Sequence, residues 1–147
     1  MPIRILLADD DATIRMLLKR LLEVNPDWQV CGEAEDGIDA VQKVMQDSPD
    51  LVIMDLSMPR MNGLDAGREI AKLQPALPLL LCTVQHIEDA SLHDICDAGF
   101  CGVVTKENGA EVVAGVEALL NGGTRYLNNP FSSSGIPEKE TRTNRCV

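Results

Sequence analysis

The sequence predicts an α/β domain built on a five-stranded parallel sheet with helices on both faces. Three observations carry that expectation. Short apolar runs alternate five times with segments of helical period, and strict strand–helix alternation implies right-handed crossovers between parallel strands. The first, third and fourth runs are apolar throughout, as interior strands covered on both faces should be. The second run is mixed and fits an edge.

Taken in chain order, Ile3–Ala8 forms the first strand and is cut off by Asp9-Asp10-Asp11. Asp11 is placed to cap a helix in which Ile14, Leu17, Leu18, Leu21 and Leu22 recur at helical spacing. Trp28–Ala34 is the second strand. Gly37 marks a turn into a helix patterned by Ile38, Val41, Val44 and Met45. Leu51–Asp55 is the third strand, and Gly63 precedes a helix over Leu64–Leu73. Pro78–Thr83, then Ile87–Ala98, then Gly102–Lys106 continue the alternation as strand, helix and strand. The last helix, Ala110–Leu120, carries Val112, Val113, Val116, Leu119 and Leu120 and ends at Gly122-Gly123. Setting strands one and three side by side in the middle gives the order 2-1-3-4-5, the flavodoxin-like arrangement of a doubly wound sheet.

At 147 residues the chain suits one domain with a real core, and with only 3% aromatic residues that core must be filled by Val, Ile, Leu and Ala. The composition changes after Pro130 to Phe131-Ser132-Ser133-Ser134-Gly135, so the expected domain covers residues 1–123 and residues 124–147 read as a linker or flexible tail. Residues 131–147 contribute +1 to a net charge of −10, which leaves −11 on residues 1–130. A surface this acidic repels phosphate backbones and argues against direct DNA binding by these residues. Five cysteines without metal-ligand spacing, two of them (Cys82 and Cys101) in or beside apolar runs, fit buried thiols in a reducing compartment. A single Arg4 and a short apolar run give no signal peptide or membrane span, so a cytoplasmic location with no membrane partner is expected.

In an open parallel sheet, ligands bind beyond the carboxyl ends of the strands. Four strands here end in polar groups: Asp9 and Asp10 on the first, Asp55 on the third, Thr83 on the fourth and Lys106 on the fifth. Each alone has an ordinary explanation as a helix cap, turn residue or solvated charge. Together, on four separate strand ends, they form one set. Clustered carboxylates repel and hold a hard divalent ion through oxygen, as Mg²⁺ is held. An aspartate can also be the nucleophile toward a phosphoryl group, with a metal and a lysine neutralising the transferred charge.

Asp9-Asp10, Met54-Asp55-Leu56-Ser57-Met58-Pro59-Arg60-Met61-Asn62-Gly63-Leu64, Thr83, and Ala98-Gly99-Phe100-Cys101-Gly102 before Lys106 strongly resemble the receiver domain of two-component response regulators. The resemblance covers about residues 1–123. It implies phosphoryl transfer from a histidine kinase or a phosphotransfer protein to Asp55. It further implies Mg²⁺ bound by Asp10, Asp55 and the backbone carbonyl of Ser57, with Asp9 acting through water. Thr83 would be the switch hydroxyl and Lys106 the cation facing the phosphoryl group. Such a domain is not an enzyme beyond its own phosphorylation and dephosphorylation. Gly32-Glu33-Ala34, Asp36-Gly37 and Arg125-Tyr126-Leu127 look like the subfamily that carries a helix-turn-helix effector. Transcription regulation and a homodimer are therefore implied, with DNA reached only through an effector domain that residues 131–147 are too short and polar to supply.

Two positions depart from that pattern. Val103 stands where an aromatic often swings with the switch hydroxyl, and Val84 follows Thr83 where many receivers have a smaller residue. Asp9-Asp10-Asp11-Ala12-Thr13 also fits the nucleophile motif of haloacid-dehalogenase-like phosphatases, which would make Asp9 the reactive group. That reading leaves Asp55-Leu56-Ser57-Met58-Pro59 unexplained. A third reading is a pseudo-receiver that acts without phosphorylation.

Overall fold

The structure, a computed structural model, describes residues 2–84 and 89–126. The strands β1 (Ile3–Ala8), β2 (Trp28–Ala34), β3 (Leu51–Met54), β4 (Leu79–Thr83) and β5 (Gly102–Thr105) alternate with α1 (Ala12–Leu22), α2 (Gly37–Asp47), α3 (Gly63–Leu73), α4 (Asp89–Asp97) and α5 (Gly109–Leu120). All five strands pair in parallel in the expected order 2-1-3-4-5, with β2 at an edge. A sixth strand, β6 (Arg125–Tyr126), adds to the free edge of β5 through Gly102↔Arg125 and Val103↔Tyr126. These two residues fall in the segment read above as linker; the rest of that expected tail, 127–147, lies outside the described residues, as do residues 87–88 of the fourth helix.

Alternation along the strands divides the core into two layers. Leu6, Val52, Met54, Leu79, Leu81 and Val103 face α2, α3 and α4, where they meet Ala40, Val44, Ala66, Ile70, Leu92 and Ile95. Ile5, Leu7, Leu51, Ile53, Leu80 and Val104 face α1 and α5, meeting Leu18, Leu22, Val112, Val116 and Leu119. Each such aliphatic side chain taken fully out of water contributes ~1.5–3 kcal/mol, which is how a core with almost no aromatics is held. Cys82 and Cys101 are both buried, but only Cys82 is a free thiol; Cys101 is disulfide-bonded, against the expectation of two thiols in a reducing compartment. Among the described residues, no helix is long and apolar enough to cross a membrane.

The expected Asp11 cap is present, and Asp36, Asn62 and Asn108 cap three further helices. Asp11 accepts from the backbone N–H groups of Thr13 and Ile14, Asp36 from Asp39, Asn62 from Asp65, and Asn108 from Ala110 and Glu111. All four caps lie in strand-to-helix loops at the carboxyl edge of the sheet, so capping also shapes the loops around the candidate site.

Candidate functional site

Asp9 follows the last residue of β1, and Asp55 follows the last residue of β3; β1 and β3 are neighbours with Ala8 opposite Met54. Because the two strands end level, both carboxylates emerge side by side, and one oxygen from each of Asp9, Asp10 and Asp55 lies within 4.8 Å of the others. Asp9 and Asp55 are buried and Asp10 is exposed. Lys106, just past β5, crosses the strand ends so that its Nζ stands 2.6 Å from Asp9 Oδ2 and 3.2 Å from Asp55 Oδ1. Its N–H bonds to the Thr83 carbonyl at 3.1 Å, which anchors the lysine beside β4. Four of the polar strand ends singled out above therefore converge on one place.

The charges do not balance. One ammonium faces three carboxylates. Burial pushes the Asp55 carboxyl above its ordinary range, Asp9 adds to the rise and Lys106 opposes it. Burial also works against the charge on Lys106, but the hydrogen bond to Asp9 and the charges of Asp55 and Asp9 outweigh it and hold the ammonium above its usual range. Neighbouring Cys82 has no part in this chemistry, since burial first of all pushes its thiol up to about 12.

The donor set fits Mg²⁺. All the groups are hard oxygens, the cluster is anionic after Lys106 is counted, and it opens to water on one side. Of the three carboxylates, exposed Asp10 also lines a groove of about 510 Å³ with Ser57, Leu56, Met58 and Pro59. Asp9 is differently placed: Oδ1 accepts from the Asp11 N–H at 2.8 Å and Oδ2 from Lys106. With both oxygens engaged, Asp9 suits an indirect role and is poorly placed as the nucleophile that the phosphatase reading requires.

Thr83 closes β4 and is 2% exposed. Val84 beside it is 59% exposed, at the rim. Val103 is fully buried in the layer that contains Leu92, Ile95 and Cys96 of α4, so the position of the expected aromatic is filled by ordinary core.

The loop after Asp55 is held closely. The Gly63 N–H donates to the Leu56 carbonyl at 2.8 Å, and a Cβ on Gly63 would come 2.1 Å from the Asp55 carbonyl oxygen. Sequence reasoning overlooked two tethers. Arg15 on α1 reaches the Asp9 carbonyl at 2.5 Å and Glu33 at 2.8 Å. Arg60 reaches Asp36 from the loop after β3. The Asp36…Asp39 capping spacing was a visible cue for Asp36, but nothing local names its arginine partner.

The model of the family described as response regulator receiver domain matches residues 5–134. Protein-glutamate methylesterase/protein-glutamine glutaminase of Pyrococcus abyssi is 37% identical over 140 residues, covering 95% of this chain and 32% of that protein. Chemotaxis protein CheY of Thermotoga maritima is 42% identical over 80 residues, 54% of this chain and 66% of that one. Among solved structures, a LuxR-family two-component response regulator from Aurantimonas sp. SI85-9A1 superposes with a TM-score of 0.80 at 35% identity, covering 85% of this chain and 89% of that one. The response regulator domain of Thermotoga maritima CheB gives 0.77 at 29% identity, with 82% and 98% covered. The chain spans about a third of the length of the methylesterases it matches. Strand-end chemistry, sheet order and family match agree, and the chain belongs to the response regulator receiver domains.

Proposed function

We propose that this receiver domain accepts a phosphoryl group on Asp55, in a Mg²⁺-dependent transfer from a histidine kinase or phosphotransfer protein. The single observation that carries the reading is Lys106 bridging Asp9 and Asp55 at the rim of an acidic cluster. An oxygen of Asp55 attacks phosphorus, the bond from phosphorus to the donor imidazole nitrogen breaks, and the imidazole keeps the electron pair and is protonated from solvent. Asp10, Asp55 and the Ser57 carbonyl would hold Mg²⁺, with Asp9 acting through water, and the ion would supply charge neutralisation for the phosphoryl oxygens. Lys106 leaves Asp55 for a phosphoryl oxygen and keeps its contact with Asp9. The Thr83 hydroxyl then donates to another phosphoryl oxygen and draws the end of β4 toward the site.

That displacement shifts a balance between two arrangements of the face around α4, β5 and α5, which controls dimerisation or an effector. Transcription regulation is the output favoured by the LuxR-family neighbour and by the 30% identity with transcriptional regulatory protein DegU of Brevibacillus brevis. The domain works in the cytoplasm with the kinase and, by its charge, meets DNA only through an effector. Incubation with Mg²⁺ and phosphoramidate, followed by intact mass, tests the acceptor. A gain of one phosphoryl group that is lost in Asp55→Asn supports it. No gain favours the pseudo-receiver, and a gain lost in Asp9→Asn but kept in Asp55→Asn favours the phosphatase-like reading.

A further inference from the structure

Arg60 is one of two described non-glycine residues with positive φ, at +66°, a region that favours glycine. The Met61 N–H donates back across it to the Pro59 carbonyl at 2.7 Å, a three-residue turn of the strained kind. The segment from Asp55 to Gly63 depends on that turn for its shape. On its far side the Met61 carbonyl accepts from the Gly37 N–H at 2.9 Å, and any Cβ on Gly37 would lie 2.3 Å from that oxygen. The acceptor loop thus rests directly on the N-terminus of α2.

What holds it there is a forked contact. Arg60 Nε and Nη2 stand 2.9 and 2.5 Å from Oδ2 of Asp36. Asp36 is buried, and its other oxygen is already spent capping α2 at the Asp39 N–H, 2.8 Å away. The Asp39 N–H first, and Arg60 after it, outweigh burial and hold the Asp36 carboxyl below its ordinary range. The bland alternative is a helix cap with a solvent-side arginine laid over it, since the Arg60 side chain is 64% exposed. Capping, however, needs no arginine, and a solvent-side arginine needs no left-handed backbone. The tether and the turn explain each other.

We propose that the Arg60–Asp36 pair is a positioning device that fixes the Asp55–Gly63 loop, and with it the Ser57 carbonyl, in the shape that binds the metal. The inference deepens the phosphoacceptor reading and rests on it for the identity of the metal site. Arg60 and Asp36 touch neither metal nor substrate; they act through the backbone between them and Ser57.

The test uses the whole chain and three variants. Arg60→Gly removes the tether but suits a positive φ, so relief of the strained turn offsets part of the loss of Asp36's charge partner and the fold is retained with a modestly lowered melting temperature. Asp36→Asn keeps a good helix cap and loses the charge, and Arg60→Lys keeps the charge without the fork. Mg²⁺ affinity is read from amide chemical shifts in a metal titration. Arg60→Gly and Asp36→Asn should each weaken it about tenfold, the low end for losing a support around a metal site. Arg60→Lys should recover part of the loss, and the double variant Arg60→Gly/Asp36→Asn should be no worse than either single. Phosphoramidate labelling at saturating Mg²⁺ should approach the parent rate. Affinity within twofold of the parent in both single variants, or additive losses in the double, overturns the proposal. A parent chain that binds Mg²⁺ but takes no phosphoryl group refutes the acceptor reading while the titration still decides the tether. A parent that binds no Mg²⁺ overturns both.

Discussion

Replacing Asp55 with asparagine should stabilise the metal-free protein, although it removes the group on which the proposed function depends. The carboxylate oxygens of Asp9 and Asp55 lie within 4.8 Å, where two full charges at an effective dielectric constant of about 20 repel by ~3.5 kcal/mol. Lys106, 3.2 Å from Asp55, returns ~5 kcal/mol on the same scale. Asp10 is exposed and adds a screened fraction of repulsion, so the charge–charge contributions nearly cancel. What remains is the cost of burying a carboxylate that is 7% exposed, about 1–3 kcal/mol. Asparagine keeps the shape and still accepts from Lys106, so the expected gain is ~2 kcal/mol, a rise of roughly 4–8 °C in melting temperature for a chain of this size. The sign with pH follows from the raised carboxyl. Ionising Asp55 costs the folded state, the cost is absent below the unfolded value of 3.8, and it is fully present above the folded value. The advantage of Asp55→Asn therefore appears as pH rises through that window and vanishes under stronger acid. Circular-dichroism melts in EDTA between pH 3 and 8 read it directly. Mg²⁺ at ten times its dissociation constant should then raise the parent by a further ~1.4 kcal/mol and the variant much less. A variant that melts below the parent in EDTA at pH 7, or equal Mg²⁺ shifts in both, would refute the reasoning.

Lys106→Ala leaves two buried carboxylates unpaired and should cost about 3–5 kcal/mol in metal-free urea unfolding, with Mg²⁺ restoring a good part of it. Gly67→Ala places a methyl group 2.4 Å from Cε2 of Phe100 and should cost ~1–3 kcal/mol through overpacking, without changing Mg²⁺ affinity. Urea unfolding beside a metal titration separates those two effects. Val84→Ala opens the exposed rim next to Thr83 to water and should speed phosphoryl loss from Asp55, followed by intact mass after the donor is removed. An unchanged rate would mean that the valine shields nothing.

The strand ends were legible because two changes coincide there in the linear sequence. At Ala8-Asp9 and Met54-Asp55 an apolar run stops and a charge begins, and an interior parallel strand leaves no other place for such a charge to go. Sheet order was legible for a related reason: the mixed second run could not be buried on both faces, and β2 is an edge strand. β6 had no such signature. Two residues, Arg125 and Tyr126, carry no period, and they are a strand because the edge of β5 offers unpaired backbone groups beside Gly102 and Val103.

The same distinction runs through the site itself. The groups proposed to do chemistry, Asp9, Asp10, Asp55, Thr83 and Lys106, lie at or just beyond strand ends, and position in the alternation alone brings them together. The groups that shape the backbone between them do not. Arg60 bonds to Asp36, 24 residues earlier, and Arg15 joins the Asp9 carbonyl to Glu33, 18 residues later. No local pattern encodes a guanidinium that reaches across the sheet edge to a carbonyl or to an aspartate already used as a helix cap. Charge placement can therefore be read from periodicity, whereas the contacts that hold the loop carrying Ser57 join residues far apart in the sequence. Two receivers with identical strand-end residues but different occupants at positions 36 and 60 should accordingly share the reaction and differ in metal affinity.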